Sequence, residues 1–495
     1  MEKQAHQQLL KRHLLTAVLL ALGLRFLSLY YVWGPQALDD YLDNLIPSWR
    51  HFQGSYPDIH NYRSPLYMWL LSYWLKLGSI FGVEHAISQI RWVYFLQALA
   101  SLLGIFGVYR LSEKKPKAFV GIIAMYLVAA HGLMPFASTR SFMESFVMGP
   151  VTLGFALLAD LDSGKRQDLK AYLGFVLLGI CALLRFQAGL FYIAWMGLFL
   201  FEKKWRYFWL GMAFGFVLLG VEAELDLLYG RKAFQTLHDY FVFNSDQESA
   251  GVMPWYNTWI TWLGFMYFPF SFLLGKSWWL SIKRNWRIFL PILFYVIIHS
   301  LNPHKEERYL YPILPLSFLI WAEAWTEVLT ETFISLKSKW TTYLYYSFFG
   351  VFNTLVLAVG CLVNTQVGLI GPFGDIESKF DRVLYLDYDD IVMRNGMMGY
   401  FVRPPSQHIL VKTNPDFTDA QARFEEHKEL SHLVLLSRQQ ENEKPFKEVF
   451  GKLAQSYQCG ELLRANSLSD QVLYWLNPNI NERRRPTEYF ICHRP

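Results

Sequence analysis

The chain has 495 residues, of which 53% are hydrophobic, 18% are aromatic and only 18% are charged. This charged fraction is too low for an ordinary soluble protein. The net charge of +5 says little by itself, and we expect no nucleic-acid partner. Apolar runs of about 16 to 22 residues recur through the first three quarters of the chain, and runs of that length cross a hydrocarbon core of roughly 30 Å as helices. The composition therefore predicts an all-α polytopic membrane protein.

The apolar runs predict about 11 transmembrane helices. A further run, 65–83, begins with Pro65, and we interpret it as a helix in the membrane interface. With that interpretation, short basic loops such as 276–287 all fall on one side, which the positive-inside rule makes cytoplasmic. The predicted spans are 14–33, 91–110, 118–135, 142–160, 171–186, 187–202, 206–225, 257–275, 288–301, 309–329 and 342–363.

The last part of the chain, 364–495, contains no apolar run of spanning length. Strand-like HILVK (408–412) and HLVLLS (432–437) flank the helical-looking DAQARFEEHKEL (419–430). We therefore expect a transmembrane catalytic domain over 1–363, followed by a soluble α/β domain on the outer, periplasmic or luminal, side. Within that domain Cys459 and Cys492 could form a disulfide if their compartment is oxidising.

Two adjacent carboxylates, Asp39 and Asp40, follow the first predicted span in ALDDYLDN (37–44). Carboxylates near a membrane surface can act as a general base, orient an acceptor hydroxyl or bind a divalent cation. The alternative is an acidic helix start in water. We expect no metal site and no cofactor elsewhere in the chain.

Three arginines fall on the predicted outer side. Arg63 either binds a phosphate or anchors the interfacial helix at lipid head groups. Arg185 lies between two spans and either binds phosphate through its planar guanidinium or extends toward the head groups. Arg140 opens a span, and Glu144 follows one turn later, so the two either pair with each other along the helix or belong to a site.

The densest polar segment is NPHKEERYLYPILP (302–315), between two predicted spans. His304, Lys305 and Arg308 supply cations. Glu306 and Glu307 supply carboxylates. A phosphate site with balancing carboxylates explains this density better than a solvated turn. With the acids after the first span, it predicts sugar transfer from a polyprenyl-phosphate donor, in which a base deprotonates the acceptor hydroxyl and cations stabilise the departing phosphate.

The segment HKEERYLYPILP resembles the HKExRF-type signature of glycosyltransferase family 22. These are eukaryotic α-mannosyltransferases that use dolichyl-phosphate-mannose, and the motif is most similar to that of the GPI mannosyltransferase III branch. The resemblance covers roughly residues 10 to 330. Further similar segments are LDDYLDNLIPSWRHFQG (38–54), RSPLY (63–67), TRSFMES (139–145), LLRFQAGL (183–190) and the loop over 226–256.

The resemblance implies a GT-C type inverting transferase that acts at the outer face on a glycolipid or glycan acceptor. It implies that Asp39 is the catalytic base and that Asp40 is its partner. Donor-phosphate binding is implied for His304, Lys305, Arg308, Arg63 and Arg185. A weaker role at the acceptor or in the covering loop is implied for Arg140, Glu144, Glu306, Asp226, Trp255, Tyr229, Gly230 and Asn244.

Three positions depart from the family pattern. Asp40 stands where the family usually has Glu, Ile46 replaces an acid, and Glu144 replaces an Asn. These departures favour a bacterial inner-membrane relative over an enzyme of the endoplasmic reticulum, and they leave the sugar and acceptor open. One alternative is a GT-C transferase of another branch, acting with a different sugar on protein or lipid A. A transporter is disfavoured because the charges cluster at one face and no internal repeat is present.

Overall fold

The fold is described from a computed structural model and consists mainly of α-helices. The structure describes residues 2–34, 40–54, 62–115, 117–161, 166–245, 252–267, 270–335, 339–362, 364–376, 379–387, 398, 400–401, 407–438, 443–476 and 484–494. The first helices are α1 (Glu2–Tyr31), α2 (Ile46–Phe52), α3 (Pro65–Ile80), α4 (Ala86–Ser112), α5 (Ala118–Ala130), α6 (Leu133–Ala137), α7 (Met143–Ala159), α8 (Gln167–Leu184) and α9 (Gly189–Phe201). They are followed by α10 (Trp205–Leu228), α11 (Gln235–Ser245), α12 (Asn257–Phe265), α13 (Leu273–Arg284), α14 (Trp286–Leu301), α15 (Leu314–Ser335), α16 (Lys339–Leu362) and α17 (Val367–Ile376).

Several of these helices are long and apolar enough to cross a membrane. Within the described part of the chain, four meet both criteria: Gln4–Tyr31, Ala86–Ser112, Gln167–Leu184 and Trp205–Leu228. A fifth is reached if Ser347–Leu362 and Val367–Ile376 are counted as one broken span. Most predicted spans coincide with helices, while the total of eleven stays a prediction.

The predicted span 257–275 and the loop after it are wrong. Helix α12 is only nine residues long, and Tyr267 follows it with a φ of +56°, in the left-handed region that ends a helix. The sequence then has a proline at position 269, which cannot donate the backbone hydrogen bond that would continue the helix. The basic stretch expected as a loop forms α13, because Ser277, Leu280 and Ser281 recur on one buried helical face.

Glycines let α4 and α7 approach closely. A Cβ built at Gly107 would lie 2.7 Å from the carbonyl oxygen of Thr152, and a Cβ at Gly149 would meet the carbonyl of Ala100. Transmembrane helices often have small residues at such contacts, because helices in lipid associate through close packing and not through the hydrophobic effect. This contact fixes α7, which carries Glu144.

The chain divides into two compact units. Unit 1 contains Met1–Leu29, Asp58–Leu70 and Tyr94–Cys361, whereas unit 2 contains Tyr30–Pro57, Leu71–Val93 and Leu362–Pro495. The last segment of unit 2 begins close to the predicted domain boundary at 363/364. Unit 2 also takes in two N-terminal segments that the sequence analysis assigned to the transmembrane domain.

A mixed sheet lies in the C-terminal part of unit 2. The strands are β1 (Arg382–Asp387), β2 (Gln407–Lys412), β3 (His432–Ser437), β4 (Gln458–Cys459), β5 (Leu463–Ala465) and β6 (Thr487–His493), with helices α18 (Ala420–Glu426), α19 (Glu443–Ser456) and α20 (Leu468–Leu476) between them. Strand β1 pairs in parallel with β2 and β3, and β6 runs antiparallel to β3, β4 and β5.

The sheet packs its apolar face against α18 and α19. Leu384, Leu433 and Phe490 from the strands form a buried core with Phe424 and Phe446 from the helices. Strands β1 and β3 are buried along almost their whole length, which is typical of central strands in an α/β sheet.

The disulfide expected under oxidising conditions is present. It joins Cys459 to Cys492, which are paired directly across β4 and β6. Disulfides persist in periplasmic, luminal and extracellular compartments.

Candidate active site

The loop between α6 and α7 is held at several points within unit 1. The hydroxyl of Thr139 donates to the carbonyl of Pro135 at 2.7 Å and lies 3.2 Å from the Ser28 hydroxyl. The Tyr67 hydroxyl donates to the carbonyl of Ser141 at 2.9 Å. Contacts from both sides therefore fix the backbone that carries Arg140.

Arg140 is fully buried, and no carboxylate within the described ranges neutralises its charge. Its Nη1 donates to the carbonyl and the hydroxyl of Thr139, both at 3.2 Å, and its guanidinium carbon lies 4.4 Å from the ring centre of Phe136 and 5.2 Å from that of Tyr94. Its Nε and Nη2 have no hydrogen-bond partner, and no carboxylate pairs with it among the residues that the structure describes. A buried guanidinium in this state is suited to bind an anion.

Glu144 pairs with Arg185 and not with Arg140. Helix α7 begins at Met143, so Arg140 precedes the helix and the expected pair along one helix face does not form. Arg185 Nη2 lies 2.7 Å from Glu144 Oε1, with the side chains 6% and 3% exposed. The alternative in which Arg185 extends toward lipid head groups is therefore wrong.

The segment after α14 folds into a compact charged turn. Glu306 accepts a hydrogen bond from His304 Nε2 at 2.8 Å and forms an ion pair with Arg308 through its other oxygen. Burial alone would raise the pKa of Glu306, but the bonds from His304 and Arg308 outweigh burial and lower that pKa to about 2. Glu306 therefore stays ionised and neutralises Arg308.

This turn packs against the loop that carries Arg140. The Arg308 guanidinium carbon lies 4.5 Å from the ring centre of Phe142. The ring of Tyr309 lies between the two paired arginines, 5.5 Å from the Arg185 guanidinium and 5.9 Å from that of Arg308. The predicted residues of these three segments therefore come together in one cluster.

Lys305 is a further buried cation for which the described residues supply no carboxylate. Its side chain is 7% exposed, and its ammonium donates to the carbonyl of Met253 at 3.0 Å and to that of Asn302. No ion pair to Lys305 is found in the described ranges, and burial lowers the pKa of its ammonium. The cluster thus neutralises Arg185 and Arg308 internally, while Arg140 and Lys305 keep excess positive charge.

Most of the remaining predicted residues of unit 1 lie in or next to the loop between α10 and α11, while Trp255 lies just before α12. The carbonyl of Arg63 accepts a hydrogen bond from Arg231 at 3.1 Å. Asp226 accepts hydrogen bonds from the amide and hydroxyl of Thr236, which fix the start of α11, and Trp255 is 65% exposed. In this loop the Arg231 guanidinium lies over the ring of Tyr229, and Gly230 turns with a φ of +74°. Near the end of α11, Asn244 donates to the carbonyl of Tyr240.

The predicted catalytic acids belong to unit 2. Asp39 lies outside the described residues. Asp40 begins a π-helix, Asp40–Leu45, which continues into α2, and its side chain is not described. Their roles therefore stay predictions. Among the residues that the structure describes, no three His, Cys, Asp or Glu side chains group to hold a metal ion.

Sequence reasoning missed Arg25, in the middle of the first span. Its side chain is 1% exposed, and it donates to the Ser101 hydroxyl at 2.8 Å and to the carbonyls of Val128 and Ala129 at 3.2 Å each. These carbonyls end α5, so Arg25 satisfies the C-terminus of the helix that leads into the Arg140 loop. A lone arginine inside an apolar run was the available signal.

Solved structures share this fold. The chain matches the crystal structure of ArnT from Cupriavidus metallidurans bound to undecaprenyl phosphate with a TM-score of 0.59 and 12% identity, covering 96% of this chain and 97% of that one. It matches the oligosaccharyltransferase AglB from Archaeoglobus fulgidus, in complex with an inhibitory peptide and a dolichol-phosphate, with a TM-score of 0.52 and 14% identity, over 86% and 69% of the two chains. The protein therefore has the GT-C fold of integral membrane proteins.

Sequence comparison defines the family. The family model of the Alg9-like mannosyltransferase family matches residues 56–374, so the chain belongs to that family of glycosyltransferases. It is 23% identical to mannosyltransferase APTG1 from Arabidopsis thaliana over 54% of this chain, and it spans about half the length of that relative (50%). It is also 23% identical to alpha-1,2-mannosyltransferase alg9 from Schizosaccharomyces pombe, over 71% of this chain and 69% of the relative. The resemblance drawn from the HKEER segment is confirmed.

Proposed function

We propose that this protein transfers mannose from a polyprenyl-phosphate or dolichyl-phosphate donor to a glycolipid or glycan acceptor at the outer face of the membrane. The observation that carries the proposal lies inside the family-matched range 56–374. There, Arg140 and Lys305 are both buried, and neither is paired with a carboxylate among the described residues. A sugar phosphate supplies the missing anion.

The two neutralised arginines have a different part in this proposal. Arg185 and Arg308 already hold carboxylates, so they shape the cluster around Tyr309 and orient the loop that carries Lys305. Phosphate binding then falls mainly to Arg140 and Lys305. This assignment raises Arg140 above the weaker role that the family pattern implies for it.

In the proposed reaction, the acceptor hydroxyl oxygen attacks the anomeric carbon of the donor sugar. The bond from that carbon to the phosphate oxygen breaks, the phosphate leaves with the bonding electron pair, and the configuration inverts. Asp39, with Asp40 as its partner, takes the hydroxyl proton. Arg140 and Lys305 stabilise the negative charge that builds on the leaving phosphate.

A second candidate keeps the reaction class and changes the sugar. Two observations favour it. The fold match to ArnT extends over 96% of this chain. At Asp40, Ile46 and Glu144 the sequence departs from the pattern of the mannosyltransferase family. This candidate is a transferase of another branch that uses a different polyprenyl-phosphate sugar and a protein or lipid A acceptor. The disulfide supports a periplasmic or luminal location for the C-terminal domain in both cases.

The test is sugar transfer by purified protein in lipid nanodiscs. The donors are undecaprenyl-phosphate and dolichyl-phosphate carrying radiolabelled mannose or another radiolabelled hexose, and the acceptor is a mixed glycolipid extract. We expect transfer with mannose that is lost in Asp39→Asn. Transfer with another sugar alone supports the second candidate, and no turnover of any donor contradicts both.

A further inference from the structure

Helix α20 (Leu468–Leu476) of unit 2 turns its apolar side chains outward. Four large apolar residues recur at helical spacing and so share one face, called here the apolar face of α20: Leu468, Val472, Trp475 and Leu476. They are between 46% and 78% exposed. A helix on the surface of a soluble domain normally presents polar residues to its surroundings, and grouped exposed apolar residues mark an interaction surface. The apolar face of α20 is therefore expected to contact a partner.

A buried carboxylate on the opposite side of α20 fixes this orientation. Asp470 is fully buried, and its two oxygens accept hydrogen bonds from the amides of Gln366 and Val367 at 2.8 and 3.0 Å. Arg484 Nη1 lies 3.2 Å from the same carboxylate. Rotating α20 to bury its apolar face would break these charge-assisted bonds and leave the two amides without their acceptor. The apolar face is therefore held outward.

A further contact holds the start of α20 next to the end of a predicted membrane span. Helix α16 covers the predicted span 342–363 almost completely, and its exposed side carries Val359 and Leu362, as a helix in contact with lipid would. The Ser469 hydroxyl donates to the carbonyl of Asn364 at 2.7 Å. Asn364 follows Leu362 by two residues, and two residues of chain reach at most about 7 Å. The start of α20 therefore lies close to the point where the predicted span ends.

The chemistry of this face favours a lipid surface over a protein partner. Trp and Tyr are enriched where a bilayer meets water, and Trp475 is the most exposed of the four apolar residues. The Arg485 guanidinium carbon lies 5.5 Å from the ring centre of Tyr474, so a cation lies beside the helix. Interfacial helices combine an apolar face with basic neighbours that reach the phosphates of head groups. Because the exposed apolar side of α16 ends close to the start of α20, one bilayer can cover both.

We propose that α20 lies on the outer surface of the bilayer, with its apolar face buried at the boundary between head groups and acyl chains. The C-terminal α/β domain is then held to the membrane at two points, by the chain that leaves α16 and by α20. Asp470 sets the direction of the apolar face in this arrangement. The proposal does not depend on which sugar or acceptor the protein uses, and its test needs no sugar transfer.

The test measures how closely the apolar face of α20 approaches lipid in the full-length protein, reconstituted in phosphatidylcholine nanodiscs. Val472→Cys carries a fluorophore on that face, and Leu468→Cys repeats the measurement one turn away. Phosphatidylcholine with a nitroxide near its head group quenches a fluorophore that lies at the interface. The native cysteines do not take the label, because Cys181 and Cys361 are buried and the other two form the disulfide.

The matched control is Lys452→Cys, labelled in the same way. Lys452 is an exposed residue of α19. Helix α19 packs through Phe446 on the sheet face that carries Leu384, whereas α17 contacts Tyr385, the next residue of the same strand, which points to the other face. The control fluorophore therefore lies in the same domain, on the side of the sheet away from α17.

We expect the fluorophores on the apolar face to be quenched at least about twofold more than the control. Trp475→Glu/Leu476→Glu places two charges on that face, and in the Val472→Cys background it should reduce quenching to the level of the control. Equal quenching at all three labelled positions, or quenching that the two glutamates leave unchanged, would overturn the proposal. An apolar environment of the fluorophore without nitroxide quenching would identify a protein partner or a second copy of this chain instead, and it would also overturn the proposal.

Discussion

Glu144 Oε1 lies 2.7 Å from Arg185 Nη2, and both side chains are buried. This ion pair connects the first turn of α7 with the turn that ends α8. It also leaves Arg140, the charge that the sequence placed next to Glu144, without a carboxylate among the described residues. One pairing therefore decides both which arginine is structural and which is available to an anion.

Removing one partner of the Glu144–Arg185 pair should be strongly destabilising. In Glu144→Leu the buried Arg185 keeps an uncompensated charge, so we expect the free energy of unfolding to fall by about 3–5 kcal/mol. Equilibrium unfolding in mixed detergent micelles measures it. The double variant Glu144→Leu/Arg185→Met removes both charges and should recover at least half of the loss, whereas a double variant less stable than Glu144→Leu would refute the pairing as the cause.

Arg25 should stabilise the fold through α5. Arg25→Met removes charge-assisted hydrogen bonds to the carbonyls of Val128 and Ala129 and to Ser101, and we expect a loss of about 3 kcal/mol in the free energy of unfolding. The matched control is Arg12→Met, on the exposed surface of the same helix. Equal stability of the two variants would show that these bonds contribute nothing net.

The stability supplied by Glu306 should depend on pH. The pKa of this carboxyl is lowered from 4.5 to about 2, so its ionised form stabilises the folded protein above pH 4.5 and this contribution, up to about 3 kcal/mol, is lost as the pH falls toward 2. Unfolding of wild type and Glu306→Gln is compared from pH 6 to pH 3. The stability difference should be largest at pH 6 and shrink as the pH falls below about 4.5, and parallel curves would contradict the ion-pair assignment.

Helix positions were largely predictable from apolar runs. The break between α8 and α9 at Arg185 and the bounds of α16 follow the pattern closely, because runs of spanning length have few alternatives in lipid. The break near Tyr267 was not predicted, since a single left-handed residue has no period in the sequence. Helix α13 was not predicted, because its basic residues indicated a cytoplasmic loop.

The members of the charged cluster were predictable, but their partners were not. The residue types in the loop before α7, in the turn after α8 and in HKEER indicated one basic site. Spacing along the chain favoured Arg140 with Glu144, whereas the actual partner of Glu144 comes from a different helix turn. Long-range pairings of this kind, like the carbonyl partners of Arg25, depend on helix packing and leave no local pattern.

The central claim is that Arg140 and Lys305 bind the donor phosphate. It predicts that replacing Arg140 lowers activity without lowering stability. Arg140→Met removes a buried charge that has no carboxylate partner in the described part of the chain, so the free energy of unfolding should stay the same or rise. If the guanidinium stabilises the departing phosphate, transfer should fall by about 10²–10³-fold. Lys305→Met should lose transfer to a similar extent.

The most direct measurement is therefore the rate of mannose transfer from polyprenyl-phosphate-mannose by wild type, Arg140→Met, Lys305→Met and the control Arg206→Gln, whose side chain is 74% exposed. The unfolding midpoint of each preparation is measured alongside, to show that the variant is folded. The account predicts that the two buried-cation variants remain folded and lose transfer while Arg206→Gln behaves as wild type. Transfer by a folded Arg140→Met and a folded Lys305→Met at close to the wild-type rate would contradict it.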